Sequence, residues 1–184
     1  VFLSIFCETF LTVNNIFNVI QQSSVNLIIA LGMTVVIISG GIDLSVGSNM
    51  ALSGSIMALV ATQVGLPPFL ALLTGMAAGT AVGAFNGFVI SRTGIPDFIM
   101  GLGMLSAARG LALVLTGGLP ISGLPPTLVF AGSTTAFGVI PMSVIVSIIM
   151  VSIAWFVLNY SHLGRCAYAI GGNKDAARAS GIDV

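Results

Sequence analysis

Asp43 stands where an acid is costly. It interrupts VVIISGGIDLSVGSNMAL, residues 35–52, which is otherwise almost wholly apolar. A carboxylate in such a run must be paired, hydrogen-bonded or useful. Arg109 raises the same question inside DFIMGLGMLSAARGLALVLT, residues 97–116. In hydrocarbon an ionisable group serves a solute pathway, a gate or a proton relay. Arg109 also has a structural reading: it stands seven residues before Thr116, roughly 10 Å of helical rise, so its head can snorkel to the nearer interface. Asp97, beside Pro96, has the position of a cap at a positive helix end. For Asp43 two readings stay open. Gly40 and Gly41 can break a helix, leaving Asp43 to cap the next one in an ordinary turn. Alternatively the helix is discontinuous and its polar backbone lines a pathway. Polar residues upstream (Asn18, Gln21, Gln22, Ser23, Ser24, Asn26) favour the second.

Other chemistry finds little support. His162 is the single histidine and follows Ser161 near the basic tail, so a Ser–His site within an apolar region is not indicated. No cluster has zinc-ligand spacing. Cys7 and Cys166 lie at opposite ends of the sequence and form no disulfide framework. Lys174 is the only lysine and no GxxxxGK[ST] pattern occurs, so the chain has no nucleotide loop of its own. A zero net charge points away from nucleic acid.

The elements that must position these residues are membrane helices. Charged residues make up 5% and apolar residues 57%, with a mean hydropathy of +1.14; a soluble domain carries about 25% charged residues. A crossing takes about 20 apolar residues. Five or six segments qualify: Val1 to Val13 in part, Val25 to Ser39, Ser48 to Val64, Phe69 to Ile90, Asp97 to Thr116 and Pro141 to Tyr160. The fold class is therefore all-α, a polytopic helical membrane protein with a broken helix near residues 39–47. No signal peptide is evident. Residues 1–13 read as the back half of a span, and ASGIDV ends without a terminal element. Both ends read as cut from a longer chain.

Charge sets the orientation. Arg92 follows one span, and Arg165, Lys174 and Arg178 follow the last. The positive-inside rule places both regions in the cytoplasm, with two spans between them. The uncharged link from Gly117 to Ile140 and the Pro67–Pro68 turn then face outward. The former reads as a loop or partly re-entrant segment. Trp155 and Tyr160 suit an interfacial belt. Gly75, Gly79, Gly83 and Gly87 repeat at a spacing of four, which makes one smooth helical ridge for close packing in lipid.

The stretch from Phe10 to Ser48, and above all GMTVVIISGGIDLSVGS from Gly32 to Ser48, resembles the permease subunits of bacterial ABC importers for monosaccharides of the ribose, xylose and galactose group. The tail LGRCAYAIGGNKDAARASGID, Leu163 to Asp183, resembles that family's cytoplasmic loop. There Asp175, Ala176, Ala177 and Gly181 fit the EAAxxxG spacing with Asp in place of Glu. The resemblance implies that residues 1–184 are the N-terminal part of one transmembrane permease domain, with residues 161–184 as a cytoplasmic coupling loop or helix. Family members continue with further spans.

It further implies a multi-pass protein of the bacterial inner (cytoplasmic) membrane, surrounded by lipid, that is a transport subunit and not an enzyme. A periplasmic sugar-binding protein delivers the sugar. A second permease copy, identical or different, completes the passage. A separate ATPase subunit hydrolyses ATP, and this chain carries no cofactor. Asn173, Lys174, Asp175, Ala176, Ala177, Arg178 and Gly181 become the ATPase-coupling residues. Asn173 suits a helix cap, Gly181 a helix stop, and the alanines a slim surface. Asp43, Asn86, Phe85 and Arg109 are the substrate-pathway candidates. An ion-coupled secondary transporter of a small polar solute is the alternative; it would carry more membrane acids and an inverted repeat.

Overall fold

The computed structural model describes residue 6, residues 10–136 and residues 140–184. Helix α1 (Val13–Ile38) has 26 residues, about 39 Å, more than the roughly 30 Å of a hydrocarbon core. Thr12 caps it, its hydroxyl accepting from the Asn15 N–H at 3.4 Å. The span expected from Val25 thus begins at Val13. Polar side chains do not end it because they bond back along it. Ser24 Oγ donates to the Gln21 carbonyl and Thr34 Oγ1 to the Ala30 carbonyl, both at 2.7 Å.

Helix α2 (Val46–Leu59) has 14 residues and runs on into a π-turn, Val60–Val64, that closes at Gly65 with φ +72°. Helix α3 (Pro68–Thr93) begins with proline in its first turn and ends on Gly94 at φ +68°. A proline there loses no helical hydrogen bond. Helix α4 (Asp97–Thr116) starts after Pro96. Asp97 is its first residue but makes no side-chain cap bond, so it favours the start of α4 through the helix dipole and not as a hydrogen-bonding cap. The link expected to be a loop or partly re-entrant segment holds helix α5 (Pro126–Ser133) and two short antiparallel strands, β1 (Thr135–Ala136) and β2 (Ile140–Pro141). Helix α6 (Met142–Tyr160) follows, then α7 (His162–Gly172) and α8 (Lys174–Ala179).

Four helices, α1, α3, α4 and α6, are long and apolar enough to cross a membrane. Helix α2 with its π-turn covers Val46–Val64 and packs among them. The partial span expected over Val1 to Val13 lies mostly outside the described residues.

Two helix groups form. In one, α2 packs between α3 and α4; in the other, α1 packs on α6 and α7. Along α2, Met57 meets Gly75, Asn49 meets Gly79 and Ser45 meets Asn86, so α2 and α3 run antiparallel. Leu44 lies at Gly101, and Leu52 packs with Ala108 and Ala112, so α2 and α4 run parallel. The link 39–45, the link 93–97 and the tail meet at one end, which also carries Arg92, Arg165, Lys174 and Arg178. We call it the basic end.

The glycine ridge of α3 divides in two. A Cβ on Gly75 would lie 2.9 Å from Met57 Cβ and 3.0 Å from the Ser53 carbonyl. One on Gly79 would lie 2.8 Å from Ser53 Oγ, and the Gly79 carbonyl accepts from Asn49 Nδ2 at 3.1 Å. Nothing lies within 4 Å of a Cβ on Gly83 or Gly87. The first pair sets the α2–α3 approach, and the second borders open space. Gly75→Ala should therefore destabilise the detergent-solubilised protein by about 1–3 kcal/mol, whereas Gly87→Ala should leave its melting point equal or raised. Comparable melting points for the two variants would disprove this division of the ridge.

Candidate functional site: a polar cavity at the basic end

The apolar run breaks in a defined way. Gly40 takes φ +82°, its N–H bonds to the Ile37 carbonyl, and the Gly41 N–H bonds to the Val36 carbonyl, both at 2.9 Å. This double bond closes a helix through a left-handed residue. Gly41 has a separate reason to be glycine. A Cβ there would lie 2.9 Å from Asp97 Oδ2 and 3.2 Å from Val36 Cγ1.

Asp43 does not cap α2. The Ser45 N–H and hydroxyl both donate to Asp43 Oδ1, at 2.8 and 2.7 Å, and Asn86 Nδ2 of α3 donates to Ser45 Oγ at 3.1 Å. Ser45 and Asn86 are 1% and 6% exposed. Asn86 Oδ1 is buried with no partner among the described residues. The depth follows from helix rise. Asn86 is seven residues before Thr93 and Gly101 four after Asp97, so the link sits roughly 6–10 Å inside the basic end. It is a turn recessed within the helix bundle.

Above this link lies a cavity of about 230 Å³ bordered by Ser39, Asp43, Asn86 and Asp97, with Gly83 and Gly87 leaving it room. Its polar groups are mainly acceptors: two carboxylates and the unpartnered amide oxygen. Their natural complement is a donor-rich ligand such as a polyol. The four pathway candidates are not gathered in one place. Asp43 and Asn86 share the cavity. Phe85 is 54% exposed on another face of α3. Arg109 borders a separate groove of about 520 Å³ between α2, α4 and residues 118–121. Asp97 was missed as a cavity residue and Ser45 as the bridge between Asp43 and Asn86. The sequence signal for Ser45 was its place two residues after Asp43, the spacing of an Asx-turn.

The tail folds as two helices. Ser161 caps α7, its hydroxyl accepting from the Gly164 N–H at 3.2 Å and donating to the Val157 carbonyl at 2.7 Å. Those bonds occupy Ser161, while His162 lies against Cys166 Sγ at 3.5 Å, so the two make no nucleophile–base pair. Asn173 Oδ1 caps α8, accepting from the Asp175 and Ala176 N–H groups at 2.9 and 3.0 Å. Gly181, at φ +83°, ends it with the same double bond as Gly40: Gly181 N–H to Arg178 and Ile182 N–H to Ala177. Ala177 turns inward and is 4% exposed. Asp175 and Arg178 project outward, joined by a 3.8 Å ion pair. Gly171 lies directly on the Ile38 carbonyl and beside Gly40, so the tail rests on the turn that closes α1.

Multiple apolar crossings, a recessed polar cavity and a helical tail docked on its rim define a multi-pass membrane permease. The chain belongs to the family described as branched-chain amino acid transport system / permease component, which it matches over residues 15–184. It is 39% identical over 181 residues to the ribose import permease protein RbsC of Escherichia coli K12, covering 95% of this chain and 55% of that protein. It is 42% identical over 185 residues to the D-allose transport system permease protein AlsC of the same strain, covering 100% and 56%. It is 33% identical over 173 residues to the fructose import permease protein FrcC of Rhizobium meliloti, covering 90% and 48%. The chain thus spans about half the length of the curated relatives it matches. No solved structure matches it.

The contact at Gly171 yields a test. Gly171→Ala places a methyl group against the Ile38 backbone and should lift the tail from the α1 turn. Limited trypsin digestion of membranes should then cut at Arg165, Lys174 or Arg178 about tenfold faster, the equivalent of roughly 1.4 kcal/mol of lost docking. Unchanged digestion would show that the tail does not depend on this contact.

Proposed function

We propose that this chain is the N-terminal part of the permease subunit of a bacterial ABC importer, one that forms the passage for a monosaccharide. The observation that carries this reading is the roughly 40% identity, over nearly the whole chain, to permeases named for ribose and allose. The basic end is cytoplasmic by the positive-inside rule, in the inner membrane. A periplasmic binding protein delivers the sugar, a second permease copy completes the passage, and an ATPase subunit docks on the tail. ATP hydrolysis belongs to that partner, and this chain performs no chemistry on its solute.

The residues fit such a division of work. Asp43 keeps one carboxylate oxygen on Ser45 and the other free toward the cavity. Asn86, held on Ser45 Oγ, fixes that arrangement from α3. Sugar hydroxyls are donors that match a free carboxylate oxygen. On the tail, Asn173 and Gly181 fix the ends of α8. Asp175, Ala176 and Arg178 present its outer surface to the ATPase, Lys174 stands at its start beside the first turn of α4, and Ala177 is buried beneath it.

The decisive test uses the full-length protein co-expressed with its neighbouring ATPase, with and without Asn173–Gly181. The intact protein should retain the ATPase and the deletion should lose it. Failure of the intact protein to hold an ATPase would overturn the reading in favour of an ion-coupled carrier. In the assembled transporter, Asp43→Ala should lower sugar uptake by about tenfold or more, the equivalent of losing one hydrogen bond to a charged group, while the ATPase remains bound.

A further inference from the structure

Asp97 borders two cavities. On one side is the space it shares with Asp43 and Asn86. On the other is an opening of about 250 Å³ formed with Gly40, Ile42, Pro96, Phe98 and Lys174. Its side chain makes no hydrogen bond or ion pair among the described residues, although it is half-buried and leans over Gly41. Across the second opening Lys174, the first residue of α8, is likewise unpaired among them. Two of the tail's other charges, Arg178 and Asp175, face each other on the exposed side, and Arg165 reaches the Tyr160 carbonyl.

Resting on the importer reading above, we propose that Asp97 is a positioning residue that couples the tail to the cavity by pairing with Lys174. The two groups have opposite charge, face one opening and stand beyond ion-pair distance in this state. A lysine arm is long and rotatable, and Lys174 is exposed and free to turn toward Asp97. When α8 is pushed toward α4, the opening narrows and the pair forms. The pull then acts on the first turn of α4. Four residues on, Gly101 lies against the Leu44 N–H, with 2.9 Å left for a Cβ. A shift of that turn therefore moves the link that carries Asp43 and Ser45. A dipole role alone would explain an acid in the first turn of α4, but it would be indifferent to Lys174.

That difference sets the experiment. Full-length permease and ATPase are reconstituted with Asp97→Asn, Lys174→Gln or both, and compared at equal membrane abundance. The readout is sugar transported per ATP hydrolysed. Each single variant should lower this ratio about tenfold, and the double variant should be no worse than either. The swapped pair, Asp97→Lys with Lys174→Asp, should regain part of it. Additive losses, or an effect of Asp97→Asn alone, would overturn the proposal and leave Asp97 a dipole acid. A second readout leaves both charges intact. Phe98→Cys with Asp175→Cys, in a background with Cys7 and Cys166 changed to Ser, is treated with a short bifunctional maleimide. Cross-linking should depend on added nucleotide, and Asp97→Asn should abolish that dependence. Equal cross-linking in every state would also overturn the proposal. Loss of the ATPase from the unmodified complex is seen separately and tells against the importer reading itself.

Discussion

The hydroxyl of Ser45 receives the Asn86 amide of α3 and gives its proton to Asp43 in the α1–α2 link. Around this shared group the basic end is organised. A chain leaving a helix inside a membrane exposes backbone groups that water cannot satisfy there. At this link they are dealt with locally: Gly40 and Gly41 return their N–H groups to α1, and Asp43 takes the Ser45 N–H. The recessed turn is thereby sealed and fixed to the neighbouring helix. Without it α2 would have to begin nearer the surface, and Asp43 and Asn86 would not border one cavity.

Close approach does the remaining work. The residues buried between α2, α3 and α4 are mostly small: Ala58, Ala71, Ala108 and Ala112, with Ser48 and Leu52. In lipid there is no hydrophobic drive to bring helices together, so contact depends on backbone proximity and on hydrogen bonds such as Asn49 to Gly79. Large apolar side chains point the other way; Phe69, Met76, Val114 and Phe156 are all largely exposed. The inversion relative to a soluble protein follows from the solvent.

Much of this was legible in the chain. The cores of α3, α4 and α6, their proline starts, and the cap and stop of α8 at Asn173 and Gly181 follow from residue type and position. The start of α1 did not, because Asn14 through Asn26 read as polar, whereas in a helix such groups are satisfied by the preceding turn. Helix α7 was also hidden: Gly164, Gly171 and Gly172 look like breakers, yet the first two are needed for its tight seats on α6 and α1. Of the pathway candidates, Asp43 and Asn86 are 43 positions apart and meet only through Ser45, a relation no local pattern encodes. Phe85 is next to Asn86 in sequence but about 100° away around the helix, and this separates them.

The π-turn at Val60–Val64 has a genealogical meaning. Both the Gly65 and Leu66 N–H groups reach back to the Val60 carbonyl, so the last turn of α2 is wider than an α-turn. Such a bulge is what an α-helix becomes when it absorbs a single extra residue. Removing one residue there would restore a regular helix and swing the exit toward Pro67 by about 100°, turning α3 and its glycines away from α2. Hydropathy would barely register the change. Length in this short segment is consequently constrained as tightly as its one buried position, Ala61.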